Sequence, residues 1–170
     1  MWFKTIVRKF MNYKRNRMMF YDCDKHSQRI AKTLYDLPEW KSAGAVNIYE
    51  NIDNEVSTKD IIIEATHVSN KVLYHAIKKP EYNPSDIDLV IVPGVVFDVK
   101  MARYGRGLGY YDRFLSRLSS KVKVIALAYD FQIISHKKEL MLDKWDIKMD
   151  YIITEKRVIQ KQGYYFTKYN

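Results

Sequence analysis

Apolar positions recur at helical spacing early in the chain and as unbroken runs later. Phe3, Ile6, Val7, Phe10 and Met11 fall on one helix face, and Ile30, Ala31, Leu34 and Leu37 on another. The spacing predicts two helices from Phe3 to about Leu37, with Asp22 or Asp24 as the cap between them and Pro38 as the break. Ala45 to Tyr49 predicts a short strand and Asn51 to Asn54 a turn. Ser57 or Thr58 is expected to cap a helix running through Ile61 to Ala65. Lys71 to Tyr74 follows as a strand, and residues 78–84, rich in proline and lysine, as a loop. The run Asp88-Leu-Val-Ile-Val-Pro-Gly-Val-Val-Phe-Asp98 has no polar alternation, so it predicts a fully buried strand ended by Pro93-Gly94. Beyond it come a helix from Tyr110 to Leu118, a buried strand from Val122 to Tyr129, a short helix from Lys137 to Leu142 and a last strand from Tyr151 to Thr154. Gly163 to Asn170 is aromatic without periodicity and reads as a tail.

Strands alternating with helices predict an α/β fold: a single three-layer domain with a mainly parallel sheet flanked by helices. The expected domain covers residues 1–160, with residues 161–170 as a C-terminal tail. There is no internal repeat and no linker.

Chemistry concentrates just past the buried run, in Arg103-Tyr-Gly-Arg-Gly-Leu-Gly-Tyr-Tyr-Asp-Arg-Phe-Leu115. Gly105, Gly107 and Gly109 let backbone N–H groups approach an anion closely, and the helix start that follows adds a favourable dipole. Arg103 and Arg106 add forked donors suited to phosphate. A plain tight turn is the alternative on spacing alone. The pattern is neither a Walker loop nor a dinucleotide fingerprint.

The net charge of +9 over 170 residues points to anionic partners without choosing among them. The basic residues are scattered, apart from Lys14-Arg15-Asn16-Arg17 and Lys137-Lys138, and no nucleic-acid-binding motif stands out. The N-terminal stretch is basic and amphipathic, without an uninterrupted apolar core or a cleavage site. No apolar stretch is long enough to cross a bilayer. Cys23 is the lone cysteine, which fits a reducing cytosol and a role as a small buried hydrophobe. His26, His67, His75 and His136 lack metal-ligand spacing.

The strand, Pro-Gly-x-x-Phe-Asp and Arg-x-Gly-x-Gly-x-Gly-Tyr-Tyr-Asp-x-Phe-Leu string resembles the signature of the 5-formyltetrahydrofolate cyclo-ligase (5,10-methenyltetrahydrofolate synthetase) family. Lys4 and Arg8 resemble the family's Lys-x-x-x-Arg opening, Asn54-Glu-Val-Ser-Thr58 its Asn-Glu-Val-x-Thr element, and Trp145 to Glu155 its closing segment.

The resemblance implies ATP-dependent, magnesium-assisted ring closure of 5-formyltetrahydrofolate to 5,10-methenyltetrahydrofolate through a phosphorylated formyl group, with release of ADP and phosphate. It assigns ATP to Lys4, Arg8, Arg103, Gly105, Arg106, Gly107, Leu108, Gly109, Tyr110 and Tyr111. It assigns the folate to Glu50, Glu55, Arg106 and Tyr110, catalysis to Arg106, and Mg²⁺ to Asp112 and Asp146. The implied partners are a reduced folate and ATP, with no nucleic acid and no membrane, in a cytoplasmic monomer or weak dimer.

The string departs from the family between Val72 and Asp86, where the family has more chain, including folate contacts, and where Lys79 replaces a glutamate. Ala102 stands where a glycine is common. A nucleotide-binding relative with lost or altered folate activity is the alternative reading.

Overall fold

The computed structural model describes residues 2–75, 83–134, 139–143 and 146–161, and the backbone of 163–166. Helices α1 (Trp2–Asn16), α2 (Phe20–Asp36) and α3 (Pro38–Ser42) precede strand β1 (Ala45–Ile48). Helix α4 (Lys59–Ile63) runs into a π-helical turn, Glu64–Val68, and leads to β2 (Val72–His75) and β3 (Leu89–Val92). Then come β4 (Val96–Phe97), β5 (Arg103–Tyr104), α5 (Tyr110–Leu115), β6 (Lys123–Leu127), β7 (Tyr151–Ile153), β8 (Arg157–Gln160) and β9 (Gly163–Phe166).

Seven strands form one sheet in the order β2-β1-β3-β6-β7-β8-β9. Pairing is parallel from β2 to β7 and antiparallel for β8 and β9. Alternation along β3 builds two cores. Leu89 and Ile91 face α2, α3 and α4 through Ile30, Leu34, Trp40 and Ile61. Val90 and Val92 face Phe97, Met101 and Leu115 on the other side. The sheet is thus filled on both faces, as consecutive apolar residues in a parallel strand require. The α/β fold with a mainly parallel sheet is as expected.

Several local expectations are corrected. The Asp88–Asp98 run is two strands: Pro93-Gly94 ends β3, and Val96-Phe97 pairs antiparallel with Arg103-Tyr104. Met19 occupies the cap position of α2, while Asp22 lies in its first turn. Thr58 holds the N-cap position of α4 as expected, but its hydroxyl makes no capping bond and donates to the Tyr49 carbonyl at 2.8 Å. Residues 139–142 are not helical, and Lys137 and Lys138 lie outside the described residues. The expected tail begins with β9, antiparallel to β8, because an edge strand can form from backbone pairing without a buried alternating face.

Helix α1 departs most from its pattern. Met11 and Arg15 are buried, whereas Phe3, Ile6 and Phe10 are exposed. Its inner face carries Lys4 and Arg8, which reach the β4–β5 hairpin and its surroundings.

Candidate active site

The strand order turns at β1, whose neighbours β2 and β3 follow it in the chain. In open parallel sheets ligands sit past the carboxyl ends of the strands at such a point. Here Tyr49 and Glu50 follow β1, and Pro93 and Gly94 follow β3; all four line a cleft of about 710 Å³. Every site residue named from the sequence lines that same cleft. Lys4 and Arg8 come from α1, Glu50 and Glu55 from the segment after β1, and Arg103 from β5. Gly105, Arg106, Gly107, Leu108 and Gly109 form the glycine loop, Tyr110, Tyr111 and Asp112 open α5, and Asp146 closes the rim.

The cleft needs glycine at two positions, one in the loop and one just after β3. Gly107 sits at φ +103°, where a side chain is strained, and Gly94 lies so close to the Phe97 ring that a Cβ would collide with it. Arg8 props the loop by donating from Nε to the Gly105 carbonyl at 2.8 Å. At the base of the hairpin, the buried carboxylate of Asp98 accepts from the N–H groups of Lys100, Ala102 and Leu140 at 2.8–2.9 Å. Ala102 fits there; the positive φ of +71° falls on Met101 instead.

Four cations and their partners set the electrostatics. Arg103 is buried, donating from Nη2 to Asp112 Oδ1 at 3.0 Å. Burial draws its pKa below the ordinary guanidinium range, and Asp112 opposes that. Lys4 donates to Asp143 Oδ2 at 2.7 Å and lies 3.7 Å from Asp146. Burial works against the Lys4 charge, but those carboxylates outweigh it and raise its pKa. Arg106 reaches from the loop to Asp53 Oδ2 and Glu55 Oε1, each at 3.0 Å. Glu55 is buried; its Oε2 accepts from the Ile52 N–H at 3.2 Å, and Arg15 Nη1 stands 3.9 Å from Oε1.

The sequence reading missed Arg15, Asp53 and Asp143. Arg15 lay in a basic cluster that suggested only surface charge, and Asp53 in a turn. Asp143 had one available signal, its spacing three before Asp146. The shortened stretch noted after β2 lies largely outside the described residues, from 76 to 82.

Among the described residues no group of three or more acidic, histidine or cysteine side chains could hold a metal. Asp112 engages Arg103, and Asp146 Oδ2 accepts from the Asp143 N–H at 2.8 Å. This donor set suits a magnesium ion that shares phosphate oxygens and water, not an all-protein cage.

Fold and site define a class: an α/β protein with an arginine- and glycine-rich cleft for a polyanion at the switch point of a parallel sheet. The profile of the 5-formyltetrahydrofolate cyclo-ligase family matches residues 74–155. A probable 5-formyltetrahydrofolate cyclo-ligase of Schizosaccharomyces pombe is 27% identical, over 92% of this chain and 97% of its own. The solved 5,10-methenyltetrahydrofolate synthetase of Aquifex aeolicus superposes with a TM-score of 0.80 at 28% identity, covering 98% of this chain and 97% of that one. The synthetase of Mycoplasma pneumoniae gives 0.78 at 27%, covering 89% and 98%.

Proposed function

We propose that this protein catalyses ATP-dependent cyclisation of 5-formyltetrahydrofolate to 5,10-methenyltetrahydrofolate, releasing ADP and phosphate. The observation that carries the reading is the convergence of the whole glycine-loop motif, Lys4, Arg8 and Glu55 on one cleft. A formamide carbonyl is a poor electrophile because its nitrogen donates into it. In the proposed route the formyl oxygen takes the γ-phosphoryl group as the bond to ADP breaks. N10 then attacks the formyl carbon, the carbon–oxygen bond breaks, phosphate leaves, and N10 gives up its proton.

The protein's part is positioning and neutralisation of charge. Lys4, Arg8 and Arg103 hold the phosphates with the backbone N–H groups of Gly105, Gly107 and Gly109. Leu108, Tyr110 and Tyr111 flank the nucleotide, and Tyr110 also meets the folate. Glu50 and Glu55 accept from the donors of the pterin edge. Arg106 leaves Asp53 and Glu55 to meet the migrating phosphoryl group, and Arg15 remains beside the Glu55 carboxylate. Asp112 and Asp146 are the carboxylates for Mg²⁺, which supplies further neutralisation of the phosphates.

The test is the appearance of methenyltetrahydrofolate absorbance from 5-formyltetrahydrofolate with purified protein. The reading requires a signal dependent on ATP, Mg²⁺ and protein together. Retained ATP binding with no such signal would replace it with a nucleotide-binding relative that has lost the folate reaction.

A further inference from the structure

Helix α1 is built inside out for a helix on a globular core. Its cations Lys4, Arg8 and Arg15 point inward to the cleft and to Glu55 beside Val7 and Met11, while Trp2, Phe3, Ile6, Phe10 and Tyr13 point to solvent. At 100° per residue Trp2, Phe3, Ile6, Phe10 and Tyr13 fall within a sector about 100° wide. They are exposed by 80%, 46%, 42%, 53% and 59%. Lys9 and Lys14 flank that sector on either side, both exposed. The Lys14 ammonium lies 5.0 Å from the Phe10 ring centre, and Arg17 donates to the Tyr13 hydroxyl at 2.5 Å. From residue 2 to residue 21 there is no acidic residue, against six basic ones.

We propose that the outer face of α1 is a docking surface for an anionic lipid bilayer, on which the helix lies parallel to the membrane plane. Tryptophan, tyrosine and phenylalanine on an amphipathic helix settle at the headgroup boundary, and lysines beside the stripe meet anionic headgroups. A second copy of the chain fits this face poorly. Two such helices would bring Lys9, Lys14 and Arg17 of both copies together with no carboxylate in either segment to answer them. Because Lys4 and Arg8 occupy the opposite side of α1, the cleft is left free when the outer face is covered. The proposal does not depend on which reaction the cleft performs.

The experiment is co-sedimentation of the full chain with vesicles of phosphatidylglycerol and phosphatidylcholine, against vesicles of phosphatidylcholine alone. Sedimentation is expected only with the anionic vesicles and should weaken as salt rises. I6Q/F10Q and K9E/K14E lie at exposed positions outside the cleft lining; each should lower partitioning about tenfold or more while leaving ATP binding unchanged. Failure of the wild-type chain to sediment, or equal sedimentation of both variants, overturns the proposal. A dimer in light scattering that I6Q/F10Q dissolves, without vesicle binding, assigns the face to a second copy. Capture by single-stranded RNA that K9E/K14E abolishes, again without vesicle binding, assigns it to nucleic acid.

Discussion

The guanidinium of Arg106 and the carboxylate of Glu55 meet at 3.0 Å, although 51 residues separate them in the chain. One belongs to the glycine loop and the other to the segment after β1, so this contact joins the two halves of the cleft. Arg106 keeps 40% of its side chain exposed and Glu55 only 6%, so the arginine is the partner able to move.

Arg106→Ala should lower kcat by about 10²-fold or more, as loss of a charge-stabilising donor does, with a smaller change in the KM for ATP. Arg106→Lys should recover only part of it, since lysine cannot fork between two oxygens. Steady-state kinetics decide this, and near-normal turnover of the alanine variant would remove Arg106 from the reaction.

Glu55→Leu should damage stability as well as folate use. It leaves Arg15, with its side chain only 3% exposed, without the carboxylate at 3.9 Å. Stranding a buried charge costs about 3 kcal/mol or more, a drop of several degrees in Tm by calorimetry. An unchanged Tm would show that Arg15 does not need Glu55.

Gly107→Ala isolates the loop from the charges. The residue sits at φ +103°, and an added Cβ would lie 3.7 Å from Arg8. The strain is expected to be about 1–3 kcal/mol, raising the KM for ATP about tenfold with all charged side chains in place. Equal nucleotide affinity by titration calorimetry would mean that the loop backbone is not part of the nucleotide site.

Asn47 gives a prediction of opposite sign. It is fully buried in β1 beside Tyr74 and Val90, and neither atom of its amide has a hydrogen-bond partner among the described residues. Asn47→Leu, which keeps the branch at Cγ and the number of side-chain heavy atoms, should stabilise the fold by about 1–3 kcal/mol. A lower Tm would reveal a polar requirement at that position.

Alkaline pH should weaken the fold. Burial, with Glu55 nearby, pushes the Tyr49 hydroxyl well above its usual value of 10.0. Burial, with Glu64 and Asp60, pushes Tyr35 up to about 12, and burial also raises Tyr129. The unfolded chain releases these protons near pH 10 while the folded chain keeps them. Stability therefore falls as pH rises from the ordinary tyrosine range toward 12. Tm measured from about pH 9 to pH 11 should decline, less steeply in Tyr35→Phe; a flat profile would contradict the burial of these hydroxyls.

Fold and site were unequally legible in the sequence. Buried parallel strands announce themselves as apolar runs, so β3 and β6 were plain, and the glycine signature marked the loop. The β4–β5 hairpin was hidden because Val95, Val96 and Phe97 extend the same apolar run past Gly94. Strands β8 and β9 lack a marked alternation and take their place from antiparallel backbone pairing, β8 between β7 and β9 and β9 at the edge. The outward face of α1 could not be read, because helical spacing says which residues share a face but not which way it points. Arg15 was obscured for the same reason.

Arg8 is made 97 residues before Gly105, and Lys4 139 residues before Asp143. Two of the contacts that seat α1 on the cleft therefore reach far along the chain, while Arg15 meets the nearer Glu55. Contacts this distant carry a large loop-closure cost and form late in folding. The cleft is thus completed by contacts between α1 and segments far along the chain. A ligand that touches both acts as a clasp, and saturating ATP should slow hydrogen exchange in α1 more than in the central strands.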